Sequence, residues 1–228
     1  MSAIDYAPLI TAFVTLFVII DPLGLAPLFV ALTQGQSAAR RRTIALTACL
    51  VAAAVLTVFG IFGDTVLALA GISMPAFRVA GGALLFLTAL DMLFEKRSKR
   101  RQDQGEAVDH ADDPSVFPLA IPLIAGPGAI ATMILLSGQG EANLTWIVSI
   151  HLVMLAVLIL TFVLFIAAGV LERVLGPLGI NVITRLLGML LAALAVQFIL
   201  DGLADFGMFT PSSVTASMST EHSAPVGS

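Results

Sequence analysis

The first apolar segment of the sequence is interrupted near its middle by an aspartate and a proline, Asp21-Pro22, and a further proline, Pro27, follows. A carboxylate is costly in the hydrocarbon core of a membrane, and a proline removes a backbone hydrogen bond from a helix. Such residues are tolerated in a spanning segment where the freed backbone groups face protein or a water-filled cavity. The interruption therefore predicts a broken helix with a specific role.

The composition shows that the interrupted segment lies in a membrane. The 228 residues are 58% hydrophobic and 11% charged, whereas a soluble domain carries about 25% charged residues. A helix needs about 20 apolar residues to cross the hydrocarbon core. We predict an all-α membrane protein with six transmembrane helices near residues 8–33, 43–70, 76–94, 117–137, 144–171 and 182–203.

The basic residues predict the orientation of these spans. Ten of the eleven lie on one side, and only Arg78 lies on the other; the ten are Arg40, Arg41, Arg42, Lys96, Arg97, Lys99, Arg100, Arg101, Arg173 and Arg185. The positive-inside rule makes the basic side cytoplasmic, with both termini outside. Residues 95–116 then form a polar cytoplasmic linker, in which His110 has no Cys or second His beside it to form a metal site. Residues 207–228 are rich in Ser, Thr and Pro, and we predict a disordered external tail.

A second interruption, Gly126-Pro127-Gly128, repeats the pattern half a chain later. Pro22 aligns with Pro127 at an offset of 105 residues, Gly71 with Gly179 at 108, and Arg78 with Arg185 at 107. Each repeat holds three spans, so the second enters the membrane from the opposite side. The sequence therefore predicts a 3+3 inverted repeat, residues 1–94 and 117–206, with broken helices 1 and 4.

The two interruptions suit a small zwitterion. Asp21 followed by Pro22 is a good helix start, and Gly126-Pro127 is a similar start without a side chain. Because the repeats are inverted, both helix N-termini point to the bilayer centre, where free N–H groups and the helix dipole attract a carboxylate. We predict substrate binding by Asp21, Pro22, Gly24, Pro27, Gly126, Pro127, Gly128, Ala129 and Thr132. The alternative is that the prolines and glycines only kink or pack the helices.

Four further residues are candidates for gating or coupling, and each has a structural alternative. Arg78 and Arg185 begin the third helix of each repeat, as gates or as interfacial anchors. Asp91 either pairs with Arg185 or another basic loop residue across the inner mouth, relays a proton, or is an exposed helix end. Gln197 binds a ligand or joins two helices. His151 could titrate, but the sequence favours a polar residue near the interface.

The sequence resembles the MarC family of membrane proteins, which belongs to the wider LysE-like group of exporters. The resemblance covers residues 5–205 and rests on motifs that occur in order: Asp21-Pro22-Leu23-Gly24, Pro75-Ala76-Phe77-Arg78, Leu90-Asp91-Met92, Gly126-Pro127-Gly128-Ala129, Thr184-Arg185 and Gln197 to Gly202. It implies six helices in the bacterial inner membrane. Some relatives are described as small neutral amino acid transporters, which agrees with the zwitterion argument.

The sequence therefore predicts a multi-pass inner-membrane secondary transporter of small neutral amino acids, of the alanine, glycine and serine class, working by alternating access. It leaves proton or sodium coupling open, with Asp21 as the first candidate, and it leaves homo-oligomerisation open. The rivals are a channel or lipid-carrier flippase and a non-transporting membrane scaffold. No hydrolase, metalloprotease or P-loop motif is found, so we expect no enzyme, no cofactor and no metal site. The expected partners are the substrate and the lipid bilayer, without nucleic acid.

Overall fold

The computed structural model describes residues 7–94, 113–139 and 144–206. The described chain is helical throughout and forms eight elements, of which α5 has irregular, wide turns. They are α1 (Ala7–Ile20), α2 (Pro22–Leu32), α3 (Ala38–Leu69), α4 (Met74–Leu93), α5 (Ser115–Ile124), α6 (Pro127–Gly138), α7 (Leu144–Ile166) and α8 (Ala168–Asp205).

The predicted all-α membrane class is confirmed. Among the described residues, five segments are long and apolar enough to cross a membrane, and the pair α5 and α6 makes a sixth when it is counted as one bent span. Helices α1 and α2 together form one such segment, Ala7–Leu32, and the last segment is Leu178–Asp205 within α8. Large apolar side chains such as Leu50, Leu87 and Leu186 are about 60% exposed, as expected for surfaces that face lipid.

Three predicted helix boundaries are wrong. Helix α3 begins at Ala38, because the Ser37 side chain accepts a hydrogen bond from the Arg40 amide and caps the helix. Arg40, Arg41 and Arg42 thus lie in its first turns and not in a loop. Helix α7 ends at Ile166 and not near residue 171. In α5 a regular helix was expected from residue 117, but the backbone is extended at Phe117 and Ile121, because each precedes a proline.

A glycine in the left-handed region turns the chain before the third long helix of each half. Gly71 has φ 70° before α4, and Gly176 has φ 61° inside α8, where it separates a short first segment from Leu178–Asp205. The sequence alignment paired Gly71 with Gly179. The conformation pairs it with Gly176, at the same offset of 105 residues that joins Pro22 to Pro127.

Each broken span packs against helices of the other half. Helices α1 and α2 contact α7 and α8, whereas α5 and α6 contact α3, and α6 also contacts α4. The rings of Phe29 in α2 and Phe165 in α7 are stacked with their centroids 4.6 Å apart. The halves are therefore interleaved, and neither forms a separate bundle.

Helices α4 and α8 run antiparallel in close contact through glycines. A Cβ on Gly82 would lie 2.8 Å from the Ala195 carbonyl, and one on Gly202 would lie 3.0 Å from the Pro75 carbonyl. At the other end, a Cβ on Gly188 would meet the Met92 side chain at 2.9 Å. Small residues let membrane helices approach this closely, so the third long helices of the two halves form a tight central pair.

Candidate functional site

The first break is a single left-handed residue. Asp21 lies between α1 and α2 with φ 54° and ψ 62°, and it is fully buried. Its carboxylate Oδ1 accepts a hydrogen bond of 3.1 Å from the Gly24 amide, and Pro22 follows as the first helical residue. Aspartate suits this position, because its short side chain tolerates the left-handed region and satisfies an orphan amide. The predicted N-cap is confirmed.

The second break has no side-chain cap. Gly126 is the N-cap of α6, Pro127 is the first helical residue, and α5 and α6 meet at an angle of 56°. A Cβ on Gly126 would lie 2.5 Å from the Pro122 carbonyl oxygen, so only glycine fits where the chain folds back on itself. The first amides of a helix have no intrahelical acceptor. The N-terminus of α6 therefore presents amide donors that no side chain of the described residues caps.

The two breaks lie against each other. A Cβ on Gly128, in the first turn of α6, would be 2.9 Å from Cδ1 of Ile19, two residues before Asp21. The next neighbour is Leu85 of α4, at 3.7 Å. The C-terminal end of α1, two residues before the N-cap of α2, thus lies against the N-terminus of α6, and a helix N-terminus carries about half a positive charge from the helix dipole.

Thr132 adds an unsatisfied polar atom to the second break. It lies one turn after Gly128 on the same face of α6 and is fully buried, and its hydroxyl has no hydrogen-bond partner among the described residues. Other threonines of the helices donate to the carbonyl four residues earlier, as Thr15 and Thr161 do at 2.8 Å. A buried hydroxyl without a partner is unfavourable, so this atom is suited to bond a ligand or water.

The remaining predicted binding residues surround these positions unequally. Pro22 and Ala129 are buried, Gly24 and Pro27 are half-buried, and Pro127 is exposed. Pro27 lies inside α2 without breaking it. The sequence did not single out Ile19 and Leu85, the side chains that fill the space beside Gly128. An aliphatic residue in an apolar span carries no signal that distinguishes a site wall from ordinary packing.

The four predicted gating or coupling residues lie on the contacting helices α4 and α8. Arg78 of α4 forms an ion pair with Asp205 of α8, and its side chain is 14% exposed. Gln197 lies on an exposed face of α8 and donates to Asp201 of the same helix at 2.7 Å. Asp91 is half-buried in α4, and Arg185 is exposed on α8.

A second ion pair stands at the entrance to the second broken span, and the sequence had not predicted it. Arg40 of α3 contacts Asp113, which precedes α5, at 3.1 Å. Hydrogen bonds from the Ser115 hydroxyl and amide, together with the Arg40 guanidinium, hold the pKa of the Asp113 carboxyl below its usual value. In the described ranges no group of three His, Cys, Asp or Glu residues could hold a metal ion.

Comparison with known proteins gave a family and several relatives. The profile described as "MarC family integral membrane protein" matches residues 6–206. The UPF0056 membrane protein YhcE of Escherichia coli is 37% identical over 87% of this chain and 93% of its own length. YvbG of Bacillus subtilis is 38% identical over 88% and 95%, and the UPF0056 inner membrane protein YhgN of Escherichia coli is 35% identical over 86% and 95%. No solved structure gave a significant match.

Proposed function

The chain belongs to the MarC family of integral membrane proteins, and from this premise we propose that it is a secondary transporter of small neutral amino acids. The observation that carries the proposal is the contact between Gly128 and Ile19, which sets the first break against the N-terminus of α6 in the protein interior. One N-terminus is capped by a carboxylate, and the other has no side-chain cap. Breaks of this kind line the substrate sites of many secondary transporters.

The proposed substrate spans the two breaks. Its carboxylate accepts hydrogen bonds from the Gly128 and Ala129 amides at the positive end of α6. Its ammonium faces the Asp21 carboxylate and the carbonyls that the prolines leave free. Thr132 offers its unpartnered hydroxyl on the same face of α6 as Gly128. Each group of a zwitterion thus meets a group of complementary charge or hydrogen-bonding capacity.

The space beside Gly128 favours a small side chain. Ile19 approaches so closely that even a methyl group on Gly128 would require it to shift. A ligand at this position must displace the Ile19 side chain, and Leu85 is the next wall. Alanine, glycine and serine need the smallest displacement, and Thr132 could bond the serine hydroxyl.

The proposed mechanism is alternating access by two inverted three-helix repeats, residues 1–94 and 117–206. The interleaved packing supports it, because each broken span packs against helices of the other half, so a movement of one half shifts the break of the other. The central pair α4 and α8 supplies close antiparallel contacts at both ends. Asp91, Arg185 and the Arg78–Asp205 pair remain the proposed gating or coupling groups, with Gln197 as a weaker candidate because of its exposure.

The proposed location is the bacterial inner membrane, with both termini outside. The relative YhgN is named an inner membrane protein. Arg40, Arg41 and Arg42 in the first turns of α3 and exposed Arg173 in α8 support this orientation, because the positive-inside rule favours the cytoplasmic side for the basic end of the bundle. The predicted linker residues 95–112 and the predicted tail lie outside the described residues.

The test is transport in proteoliposomes that contain the purified protein. Uptake of labelled alanine, glycine and serine is measured with and without the same unlabelled amino acid inside, and with and without pH and sodium gradients. We expect saturable uptake that internal amino acid accelerates, with empty liposomes as control. Unsaturable flux without counterflow would favour a channel. Neither flux nor ligand binding by folded protein would overturn the proposal and favour a scaffold.

A further inference from the structure

His151 lies in a crowded junction of three helices. It belongs to α7, and its ring faces Gly60 of α3 and Met133 of α6. A Cβ on Gly60 would lie 2.9 Å from the Met133 Cε and 3.0 Å from the His151 Nε2. At 1.5 Å per residue, His151 is about 10 Å along α7 from its first residue, Leu144. The junction is therefore inside the bundle and near the end that the proposed orientation places outside.

The hydrogen bond of the ring defines its protonation pattern. Nδ1 is 2.7 Å from the Ile147 carbonyl oxygen, which can only accept, so Nδ1 carries a proton. Nε2 of a neutral ring is then a bare acceptor. That atom is buried and has no hydrogen-bond partner among the described residues. The structure thus keeps a basic nitrogen in the interior with its lone pair unsatisfied.

Two polar groups lie one helical turn from this junction toward the end of the bundle. Asp64 lies one turn beyond Gly60 on the same face of α3, and a Cβ on Gly138 would be 3.2 Å from its Oδ1. Ser137 of α6 lies one turn beyond Met133, and its hydroxyl is also buried without a partner among the described residues. Asp64 itself is exposed. An acid at the surface and a buried hydroxyl thus lie on the outward side of the histidine.

The basic groups on the helices that pack against α7 stand toward the opposite end of the bundle, where α3 carries Arg40, Arg41 and Arg42 and α8 carries Arg173 and Arg185. Helices α1 and α2 carry no ionisable group, and Asp21 stands between them. On α3, Cys49 lies three turns beyond Gly60 toward the opposite end, and α6 has no ionisable group. On α8, Asp201 and Asp205 stand at the same end as Asp64, bonded to Gln197 and Arg78. Asp64 is therefore the acid nearest along the helices to the His151 junction.

We propose that His151 Nε2 is the proton-binding site of this protein, and that its protonation opens the junction of α3, α6 and α7 toward the outer side. The assignment of a coupling role rests on the proposed transport function. The proton comes from external water by way of Asp64 and Ser137. It adds to the Nε2 lone pair, and no covalent bond of the protein breaks.

Close packing links the added proton to a movement. An imidazolium needs an acceptor for its Nε2–H, and the Gly60 backbone and the Met133 methyl leave no room for one. The helices must separate to admit water or the Asp64 carboxylate. Helix α6, which moves in this opening, also carries Gly128 and Thr132. Movement of α6 thereby couples proton binding at His151 to exposure of the substrate site.

The first experiment measures proton binding directly and needs no transport. The full chain with His110→Gln and His222→Gln carries one ¹⁵N-labelled histidine in nanodiscs, and its nitrogen resonances are followed from about pH 8 to about pH 5. We expect Nε2 to change from the unprotonated to the protonated shift. A ring that keeps one neutral tautomer over the whole range, bonded to a water only, would overturn the proposal.

The second experiment measures opening. Ile134, which packs against Gly63 in the same junction, is replaced by cysteine in a Cys49→Ser background and labelled from outside with an impermeant thiol reagent. The matched control adds His151→Gln, so the intrinsic pH dependence of the thiol cancels in the ratio. We expect the labelling rate of the variant that keeps His151, divided by the rate of the His151→Gln control, to rise about tenfold on acidification, as for a population shift between two states.

The outcomes separate this proposal from the transport function. An unchanged ratio with a titrating ring overturns the coupling of proton binding to opening. Titration with opening, in a protein that neither binds nor transports amino acids, keeps the proton site and refutes the proposed substrate. Should His151→Gln fail to fold, the titration of the chain that keeps His151 as its single histidine still decides the proton-binding claim.

Discussion

The two breaks solve the same problem, a helix that restarts inside the membrane, with different residues. At the first, one left-handed aspartate caps α2 with its own carboxylate, and α1 and α2 still make one apolar segment. At the second, two glycines enclose a proline, no side chain caps α6, and the chain bends by 56°. The first break supplies the carboxylate charge of Asp21. The second supplies backbone amide donors, and its glycines let other groups approach the backbone closely.

This difference assigns separate tasks to the two breaks. The Asp21 carboxylate already bonds the Gly24 amide, so it stabilises the fold whether or not a ligand is present. At the second break no side chain caps α6, and the Thr132 hydroxyl has no hydrogen-bond partner among the described residues, so no local hydrogen bond of this kind stabilises the fold there. We therefore expect removal of the Asp21 side chain to weaken both stability and binding, and removal of the Thr132 hydroxyl to weaken binding without loss of stability.

The largest effect is expected at the contact between the breaks. Gly128→Leu would place a side chain on the Ile19 methyl and cover the α6 amides, so binding of alanine, measured by calorimetry in nanodiscs, should fall by a factor of about 100 or more. Overpacking of this kind costs about 1–3 kcal/mol of stability. Normal binding by this variant would show that the second break is not the site.

Gly169→Leu provides the matched control. Gly169 is a helical glycine of α8, and a Cβ there would meet nothing within 4 Å. The same substitution adds the same apolar volume to the protein surface. We expect unchanged binding and unchanged free energy of unfolding.

The next effect separates the charge of Asp21 from its capping role. Asp21→Ala loses the cap, at about 1 kcal/mol, and places a residue without a polar side chain in the left-handed region, at about 1 kcal/mol more. Asp21→Asn keeps both features and removes only the charge. Denaturant unfolding in micelles should show a loss of about 2 kcal/mol for alanine and little for asparagine. If the asparagine variant also binds alanine normally, the carboxylate is a cap only.

A smaller effect of opposite sign is expected at Thr132. Thr132→Val removes a buried hydroxyl that has no partner among the described residues, so the free energy of unfolding should stay constant or rise by up to about 1 kcal/mol, while alanine binding weakens. Thr161→Val is the control, because its equally buried hydroxyl donates to the Val157 carbonyl. That variant should lose about 0.5–1 kcal/mol and keep binding. If Thr132→Val and Thr161→Val both lowered the free energy of unfolding and both kept alanine binding, a ligand role for Thr132 would be contradicted.

The smallest effect concerns the entrance of the second span, where Asp113 meets Arg40. The folded protein lowers the pKa of Asp113, so its contribution to stability is present at neutral pH and is lost as the pH falls through the lowered value. The pair is exposed, which limits the contribution to about 0.2–1 kcal/mol. Unfolding of wild type and Asp113→Asn should differ at neutral pH and converge in acid. A constant difference would show that the ionised pair contributes nothing.

The sequence predicted the number and order of the spans and both breaks, because apolar length and proline chemistry are local. It also predicted the Asp21 cap, since Asp-Pro at a helix start has a known geometry. The extended backbone at Phe117 and Ile121 was missed, although a residue that precedes proline is biased away from the helix. Ala26 precedes Pro27 and stays helical, so this bias alone does not determine whether the helix continues.

Contacts between distant residues could not be predicted in this way. The position of Ile19 against Gly128 depends on how α1 and α6 cross, and no pattern of apolar residues records a crossing. The pairing of Arg78 with Asp205 and the burial of the His151 Nε2 depend on tertiary packing in the same way.

The interleaving of the halves has a consequence for biosynthesis. The first broken span, with its buried carboxylate, finds permanent neighbours in α6, α7 and α8, which leave the ribosome roughly 100 or more residues later. Until these helices are made, the Asp21 carboxylate must be shielded from lipid by the translocon or by temporary partners. The nascent chain is therefore most vulnerable to quality-control proteolysis midway through synthesis, and a ribosome stalled before α7 would leave a product that cannot mature.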